Sequence, residues 1–160
     1  MSFPRLIWLF PVVTALHNLE EAIWFPAWAR RTGRWHARFT PGAFRFAVLV
    51  LTVLAFAVTG MSVRSGRQSV WTYLAFGYAA AMLANAFIPH IAVAITRHAY
   101  MPGFWTALLL NVPVLSWLVV LALKQGYVSA DRAAAYAAGV AAALLAFIPA
   151  LFYLGRAMRL

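Results

Sequence analysis

Five long apolar runs dominate this sequence, and each is close to the length that a helix needs to cross a lipid bilayer. The runs lie near residues 3–28, 44–62, 70–96, 104–124 and 133–153. A transmembrane helix requires about 20 consecutive apolar residues, and the segments between the runs are too short for a soluble domain. The sequence therefore predicts an all-α fold: a polytopic transmembrane helix bundle of about five spans, forming a single transmembrane domain over residues 1–160.

Composition and charge placement support this class of protein. Hydrophobic residues make up 65% of the chain and charged residues only 10%, whereas soluble domains carry about 25% charged residues. The formal net charge of +10 does not predict a nucleic-acid partner, because the basic residues lie at the ends of the apolar runs, as membrane anchors do. The chain has no cysteine, which excludes disulfides and thiolate chemistry.

The basic residues also predict an orientation in the membrane. Five arginines cluster around the loop that joins the first two runs: four lie between the runs, at positions 30, 31, 34 and 38, and the fifth lies at position 45, at the start of the second run. Placing this loop in the cytoplasm puts eight of the 13 Lys and Arg residues inside and five outside, and cytoplasmic loops are the ones that collect such residues. We therefore expect an outer N-terminus and a cytoplasmic C-terminus. His36, within the same loop, is interpreted as an interfacial residue.

The first run contains "ALHNLEEAIW", which holds two of the three acidic residues of the chain. On a helix, His17, Glu20 and Glu21 lie at positions i, i+3 and i+4 and share one face. An ionisable side chain at the bilayer centre costs at least about 2.5–3.5 kcal/mol on insertion scales. Placing the motif outside the membrane would cut the run at Leu16 and leave only 14 residues, too few to cross. The motif is therefore predicted to be an intramembrane functional site.

Polar partners for this face occur in the third and fourth runs. Asn85 and His90 lie in the third run, and Asn111 lies in the fourth. At 1.5 Å per helical residue, these side chains and those of the first motif lie about 9–16 Å from the same membrane face. Pro89 removes a helical hydrogen bond to the Asn85 carbonyl and should kink the helix. The kink is expected to turn His90 toward Asn85.

These depths predict a contact between two spans. We expect the first span to pack directly against the third, with one of the three motif side chains within reach of Asn85 or His90. A stripe of small residues in the fifth span, Ala135, Gly139 and Ala143, is predicted to let another helix approach closely. A similar stripe, which includes Gly77, lies in the third span.

The motifs resemble those of a bacterial and archaeal family of membrane proteins named for its HXXEE motif. The first motif is matched by His17, Glu20 and Glu21, and the second by Asn85, His90, Tyr100, Pro102 and Gly103. The gap of five residues between asparagine and histidine is one longer than in the family pattern. The resemblance implies a small integral membrane protein, in a bacterium a protein of the inner membrane. It implies no reaction, because the family is functionally uncharacterised.

Two chemistries fit the candidate catalytic residues, which are His17, Glu20, Glu21, Asn85 and His90. In the first, imidazole and carboxylate groups bind one divalent metal, Zn or Fe, through His17, Glu20, Glu21 and His90. In the second, no cofactor is present and the same groups transfer protons. Supporting roles, in substrate binding or in structure, are predicted for Asn111, His98, Tyr100, Pro102 and Gly103.

Three functions remain open from the sequence. The favoured one is an intramembrane enzyme that isomerises, cyclises or hydrolyses a lipid or isoprenoid-like substrate, so that the partner is a membrane lipid or another hydrophobic small molecule. A small transporter coupled to protons or metal ions would also use such residues. The third is an accessory subunit whose polar cluster only holds helices together. A homo-oligomer is compatible with each of them.

Overall fold

Five long helices form the structure, a computed structural model that describes residues 2–32 and 40–160. Helix accounts for 85% of it, and the described ranges contain no strand. The helices are α1 Phe3–Arg31, α2 Pro41–Ser65, α3 Val70–Thr96, α4 Phe104–Lys124 and α5 Ala130–Ala157. All five are long and apolar enough to cross a membrane, so the chain is an integral membrane protein, as predicted. His36 lies outside the described residues.

The helices α2 and α3 begin at polar capping residues that lie outside the apolar runs. Thr40 accepts a hydrogen bond from the amide of Ala43 at the start of α2 (3.1 Å), and Ser69 accepts one from the amide of Thr72 at the start of α3 (3.2 Å). Such side chains satisfy the free amides of a first helical turn. The predicted spans 44–62 and 133–153 are therefore shorter than α2 and α5, because a helix extends beyond its lipid-crossing part.

Helix packing brings α1, α3 and α4 around one core. α5 packs on α2 and α3, whereas α1 packs on α2 and α4. The core between α1, α3 and α4 contains Phe10, Tyr78 and Leu115. The rings of Phe10 and Tyr78 are in edge contact, with 5.3 Å between their centroids. α1 contacts α3 directly through side chains such as Phe10 and Tyr78, whereas its backbone lies nearer to the backbones of α2 and α4.

Small residues have two different environments. A Cβ atom on Gly77 would lie 2.7 Å from the backbone oxygen of Tyr136 and 2.7 Å from a methyl group of Val140, so the stripe in α3 does allow close approach of α5. Gly139 has nothing within 4 Å of such an atom. With Ala135 and Ala143 it lines an open apolar groove beside Leu74 of α3, so among the described residues no helix approaches α5 closely at Gly139.

Two wider turns interrupt the helices near the polar residues. In α3 the turn Ala86–Ile91 contains Ile88 in an extended conformation, with φ −130° and ψ 110°, because the residue before a proline avoids the helical region. In α4 the turn Ala107–Asn111 is π-helical, as is the turn Ala86–Ile91 in α3. The two turns pack against each other. Wide turns of this kind occur frequently at functional sites.

Candidate functional site

Three ionisable side chains from α1 and α3 meet inside the bundle. Oε1 of Glu21 lies 3.3 Å from Nε2 of His90 and 3.8 Å from Nε2 of His17. The His17 side chain is 0% exposed, that of His90 1%, and that of Glu21 15%. The predicted proximity of the first motif to the third span is thus confirmed, with Glu21 as the carboxylate that both imidazoles face.

Asn85 joins the two imidazoles. Its amide nitrogen lies 3.4 Å from Nε2 of His17 and 3.4 Å from Nε2 of His90. Both distances are longer than the usual range of hydrogen-bond lengths, about 2.7–3.2 Å. The break at Pro89 makes the second contact possible, because on a regular helix a five-residue step separates two side chains by about 140°. The expected turn of His90 toward Asn85 is confirmed.

Glu20 has different partners from its neighbour Glu21. Its Oε1 accepts a hydrogen bond from the hydroxyl of Tyr100 (2.7 Å), and its Oε2 accepts from both the amide (3.0 Å) and the hydroxyl (2.6 Å) of Thr106. Both oxygens of this carboxylate therefore accept hydrogen bonds, Oε1 from the connection between α3 and α4 and Oε2 from the first turn of α4. The structure separates the two glutamates that the sequence treated as one set.

Gly103 closes the site from the connection between α3 and α4. Its φ is +91°, and a Cβ atom there would lie 2.6 Å from Cε1 of His90, 2.9 Å from Cε1 of His17 and 3.1 Å from Cγ of Glu21. Only a residue without a side chain fits at this distance from both rings. Gly103, for which the sequence predicted a supporting role, thus contacts all three ionisable side chains.

The rest of this connection is held against α1. Pro102 is buried, whereas His98 and Tyr100 are exposed, so His98 does not join the cluster. The indole of Trp28 donates a hydrogen bond to the carbonyl of Tyr100 (3.0 Å). Partial burial and the hydrogen bond to Glu20 raise the pKa of Tyr100 to about 12. The phenol is therefore a neutral donor to Glu20 at physiological pH.

We expect Tyr100→Phe to lower the free energy of unfolding by about 1 kcal/mol, the usual net value of a hydrogen bond. Because the pKa of about 12 in the folded protein exceeds the ordinary value of 10.0, this stabilisation is complete below pH 10 and is lost as the pH rises toward 12. Thermal unfolding in detergent at pH 8 and pH 11 measures it, with Tyr153→Phe, at an exposed tyrosine, as control. An equal difference at both pH values would contradict this role of the hydroxyl.

Some buried polar atoms of the region have no partner. Asn111 is 0% exposed, and among the described residues neither its side-chain oxygen nor its nitrogen has a hydrogen-bond partner. Nδ1 of His90 is also buried, with no partner in the same part of the chain. A buried polar atom left without a hydrogen bond costs about 1–3 kcal/mol. Such atoms at a polar site are available to a bound molecule.

Sequence reasoning missed two residues here. Thr106 contacts both Glu20 and, through its Oγ1 at 3.1 Å, Nδ1 of His17. Asn18 donates to the hydroxyl of Thr52 (2.7 Å) and to the carbonyl of Val48 (3.3 Å), and so ties α1 to α2. Asn18 lies inside the first motif, and like Glu20 it is a polar side chain in an apolar run, so it could have been predicted to need a partner. Nothing in the sequence distinguishes Thr106 from other threonines.

The side chains suited to a metal form a smaller group than predicted. One ligand atom from each of His17, Glu21 and His90 lies within 4.8 Å of the others. Within the described residues, no Lys or Arg nitrogen lies within ion-pair distance of Glu21. Glu20 falls outside the group because Tyr100 and Thr106 occupy its oxygens. Imidazole and carboxylate ligands suit Zn and Fe.

The fold and the site define a small polytopic membrane protein with a His/Glu cluster between its helices. The chain belongs to the family described as "Protein of unknown function with HXXEE motif", whose model matches residues 8–118. The uncharacterised protein YrkK of Bacillus subtilis (strain 168) is 32% identical over 146 residues, covering 91% of this chain and 92% of that protein. No solved structure gives a significant match.

Proposed function

We propose that this protein is an integral membrane enzyme that acts on a lipid or isoprenoid-like substrate within the bilayer. His17, Glu21 and His90 would carry acid/base or metal-assisted chemistry that isomerises, cyclises or hydrolyses the substrate. The observation that carries the proposal is the contact of Glu21 with both buried imidazoles, at 3.3 and 3.8 Å. Imidazole and carboxylate groups that meet in a buried cluster are suited to proton transfer or to metal binding.

The surroundings of the cluster support a hydrophobic substrate. Next to the site residues in sequence, Leu16 on α1, Ile88 on α3 and Leu109 on α4 are all exposed at the outer surface of the bundle. In a membrane these side chains face lipid. We propose that a substrate with an apolar chain approaches the site from the bilayer beside these side chains and that its polar group binds the unpartnered atoms of Asn111 and His90.

Two observations weigh against the other functions. On the N-terminal side of the cluster, the buried face of α1 is formed largely by apolar side chains, including Ile7, Phe10 and Val13, so along the described part of this helix no continuous row of polar side chains leads away from the site. A cluster that only joined helices would gain nothing from unpartnered buried atoms such as those of Asn111, because these destabilise the fold. Both observations favour an enzyme over a transporter or an accessory subunit.

The proposed setting is the inner membrane of a bacterium, with the N-terminus outside and the C-terminus in the cytoplasm. It is supported by the excess of Lys and Arg on one side of the predicted spans, eight against five. The proposed partner is a membrane lipid or a hydrophobic small molecule. Nucleic acid is not among the proposed partners, and the proposal does not require a particular oligomeric state.

We expect Glu21→Gln to abolish turnover while the protein remains folded, because the amide keeps the shape of the carboxylate but neither takes up a proton nor binds a metal well. Lipid extracts of cells that carry the wild type, the variant or an empty vector are compared by mass spectrometry. A lipid species made by the wild type should fall at least tenfold in the variant.

The matched control is Asp131→Asn, which makes the same chemical change at the exposed third acidic residue, 73% accessible. Its lipid profile should equal that of the wild type. Equal profiles for wild type, Glu21→Gln and empty vector, across a broad range of lipids, would contradict the proposed function and favour an accessory role.

A further inference from the structure

The position of one proton follows from the contacts of Thr106. Its hydroxyl has a single hydrogen, and Oγ1 lies closest to Oε2 of Glu20, at 2.6 Å, with the Gly103 carbonyl farther away at 3.2 Å. An ionised carboxylate only accepts hydrogen bonds, so the hydroxyl donates to Glu20. The remaining contact of Oγ1, at 3.1 Å to Nδ1 of His17, then requires His17 to donate. The proton of this ring therefore lies on Nδ1.

The consequence concerns the other nitrogen of the ring. With the proton on Nδ1, Nε2 of His17 carries a lone pair, and this atom faces Oε1 of Glu21 and the amide nitrogen of Asn85. Metal-binding histidines are held in this way, with one ring nitrogen donating to an outer partner and the other binding the metal. In many metal sites the outer partner is a carboxylate that contacts the histidine directly. Here the Thr106 hydroxyl lies between the His17 imidazole and the Glu20 carboxylate.

The spacing of the acceptor atoms fits a metal ion. Two ligands at about 2.0–2.1 Å from a tetrahedral ion lie about 3.3 Å apart. Oε1 of Glu21 is 3.3 Å from Nε2 of His90 and 3.8 Å from Nε2 of His17, and all three atoms lie within 4.8 Å of one another. In the proposed centre, rotation of these side chains would draw the three atoms to common ligand distances. Glu20 is not part of this set, because its two oxygens already accept hydrogen bonds.

Charge supports the same assignment. Glu21 is largely buried, and within residues 2–32 and 40–160 no Lys or Arg pairs with it. A carboxylate at membrane depth needs a positive partner or a proton. A divalent cation between this carboxylate and the Nε2 atoms of His17 and His90 would supply that partner.

We propose that Nε2 of His17, Nε2 of His90 and Oε1 of Glu21 bind one divalent metal ion, Zn²⁺ or Fe²⁺, and that Thr106 and Glu20 are positioning residues that hold His17 in the required tautomer. Two imidazoles and one carboxylate are a ligand set used by both ions, with further positions open to water or substrate. The inference deepens the proposed function by naming the cofactor of the same site. It also assigns the two adjacent glutamates different tasks: Glu21 binds the metal and Glu20 orients a ligand.

The test measures metal content without any substrate. Protein purified in detergent is washed with chelator, reloaded with Zn²⁺ or, under anaerobic conditions, Fe²⁺, and analysed by elemental mass spectrometry. The wild type should hold one equivalent of one of the two ions, and His90→Ala and Glu21→Gln should hold none. His98→Ala is the matched control, because His98 is exposed and outside the cluster, and it should keep the full equivalent.

Two further variants test the positioning role. Thr106→Val removes the hydroxyl but keeps the size of the side chain, and Glu20→Gln removes the charge. Each should keep the metal at saturation and weaken its affinity by 10–100-fold, the usual effect of losing an outer partner. Unfolding temperatures measured on the metal-free proteins confirm that the variants are folded.

The outcomes separate this inference from the proposed function. A wild type that binds neither ion after reloading, or that binds two equivalents, would overturn the metal centre, as would full binding by folded His90→Ala. Lipid turnover by a protein without metal would leave the enzyme proposal standing on acid/base chemistry. One equivalent of metal without any lipid turnover would support the centre and contradict the enzyme. Unchanged affinity in Thr106→Val would overturn the positioning role alone.

Discussion

Gly103→Ala is expected to destabilise the folded protein by about 2–6 kcal/mol, because two penalties coincide at this position. A non-glycine residue in a sparsely populated backbone region costs about 1–3 kcal/mol, and φ is +91° here. Overpacking a tight contact costs about 1–3 kcal/mol more, and the added Cβ would lie 2.6 Å from the His90 ring and 2.9 Å from the His17 ring. The connection must shift away from both imidazoles. Thermal unfolding in detergent measures the loss.

Gly66→Ala and Gly126→Ala separate the two penalties. Both glycines have positive φ, +75° and +69°, and neither has an atom within 4 Å of an added Cβ. These variants should show the backbone penalty only, so Gly103→Ala should be the least stable of the three. Equal destabilisation in all three variants would mean that Gly103 does not press on the imidazoles.

Gly77→Ala is expected to cost about 1–3 kcal/mol, the usual penalty of inserting a methyl group into a packed contact. The new Cβ would lie 2.7 Å from a backbone oxygen of α5, at Tyr136, and a backbone atom cannot rotate away as a side chain can. The helices α3 and α5 must therefore separate. Unfolding temperature, or the denaturant midpoint in mixed micelles, measures the effect.

The matched control for Gly77→Ala is Gly139→Ala, the same substitution at a helical glycine that lines the open groove of α5. Nothing lies within 4 Å of its added Cβ, and alanine is a better helix former than glycine by about 0.8–1.0 kcal/mol. Gly139→Ala should leave stability unchanged or raise it. A loss as large as that of Gly77→Ala would show that the groove is occupied in the folded protein.

The bundle and the first motif were predictable from the sequence because both follow from local rules. Apolar length predicts a membrane span, and helical spacing puts His17, Glu20 and Glu21 on one side of α1. The break that turns His90 inward was predictable for the same reason, since Pro89 acts on its own helix.

The division of labour between the two glutamates was not predictable. Adjacent residues point about 100° apart on a helix, and which of them meets His90 depends on how α1 is rotated against its neighbours. That rotation is determined by contacts with distant residues, such as Asn18 with Thr52 and Phe10 with Tyr78. Thr106 was missed for the same reason: its importance comes only from the position of α4 beside α1.

The hydrogen bonds that engage Glu20 also bear on how the chain is assembled in the membrane. They join α1 to Tyr100 and Thr106, which lie 80 and 86 residues later in the sequence. During synthesis α1 is therefore complete well before Tyr100 and Thr106 have been made, and until then Glu20 lacks these hydrogen-bond donors. α5 contributes none of these bonds, so the arrival of α4 is the event that completes the site. The order of helix insertion thus determines when the ionisable side chains of α1, which are costly to place in the membrane, are first stabilised.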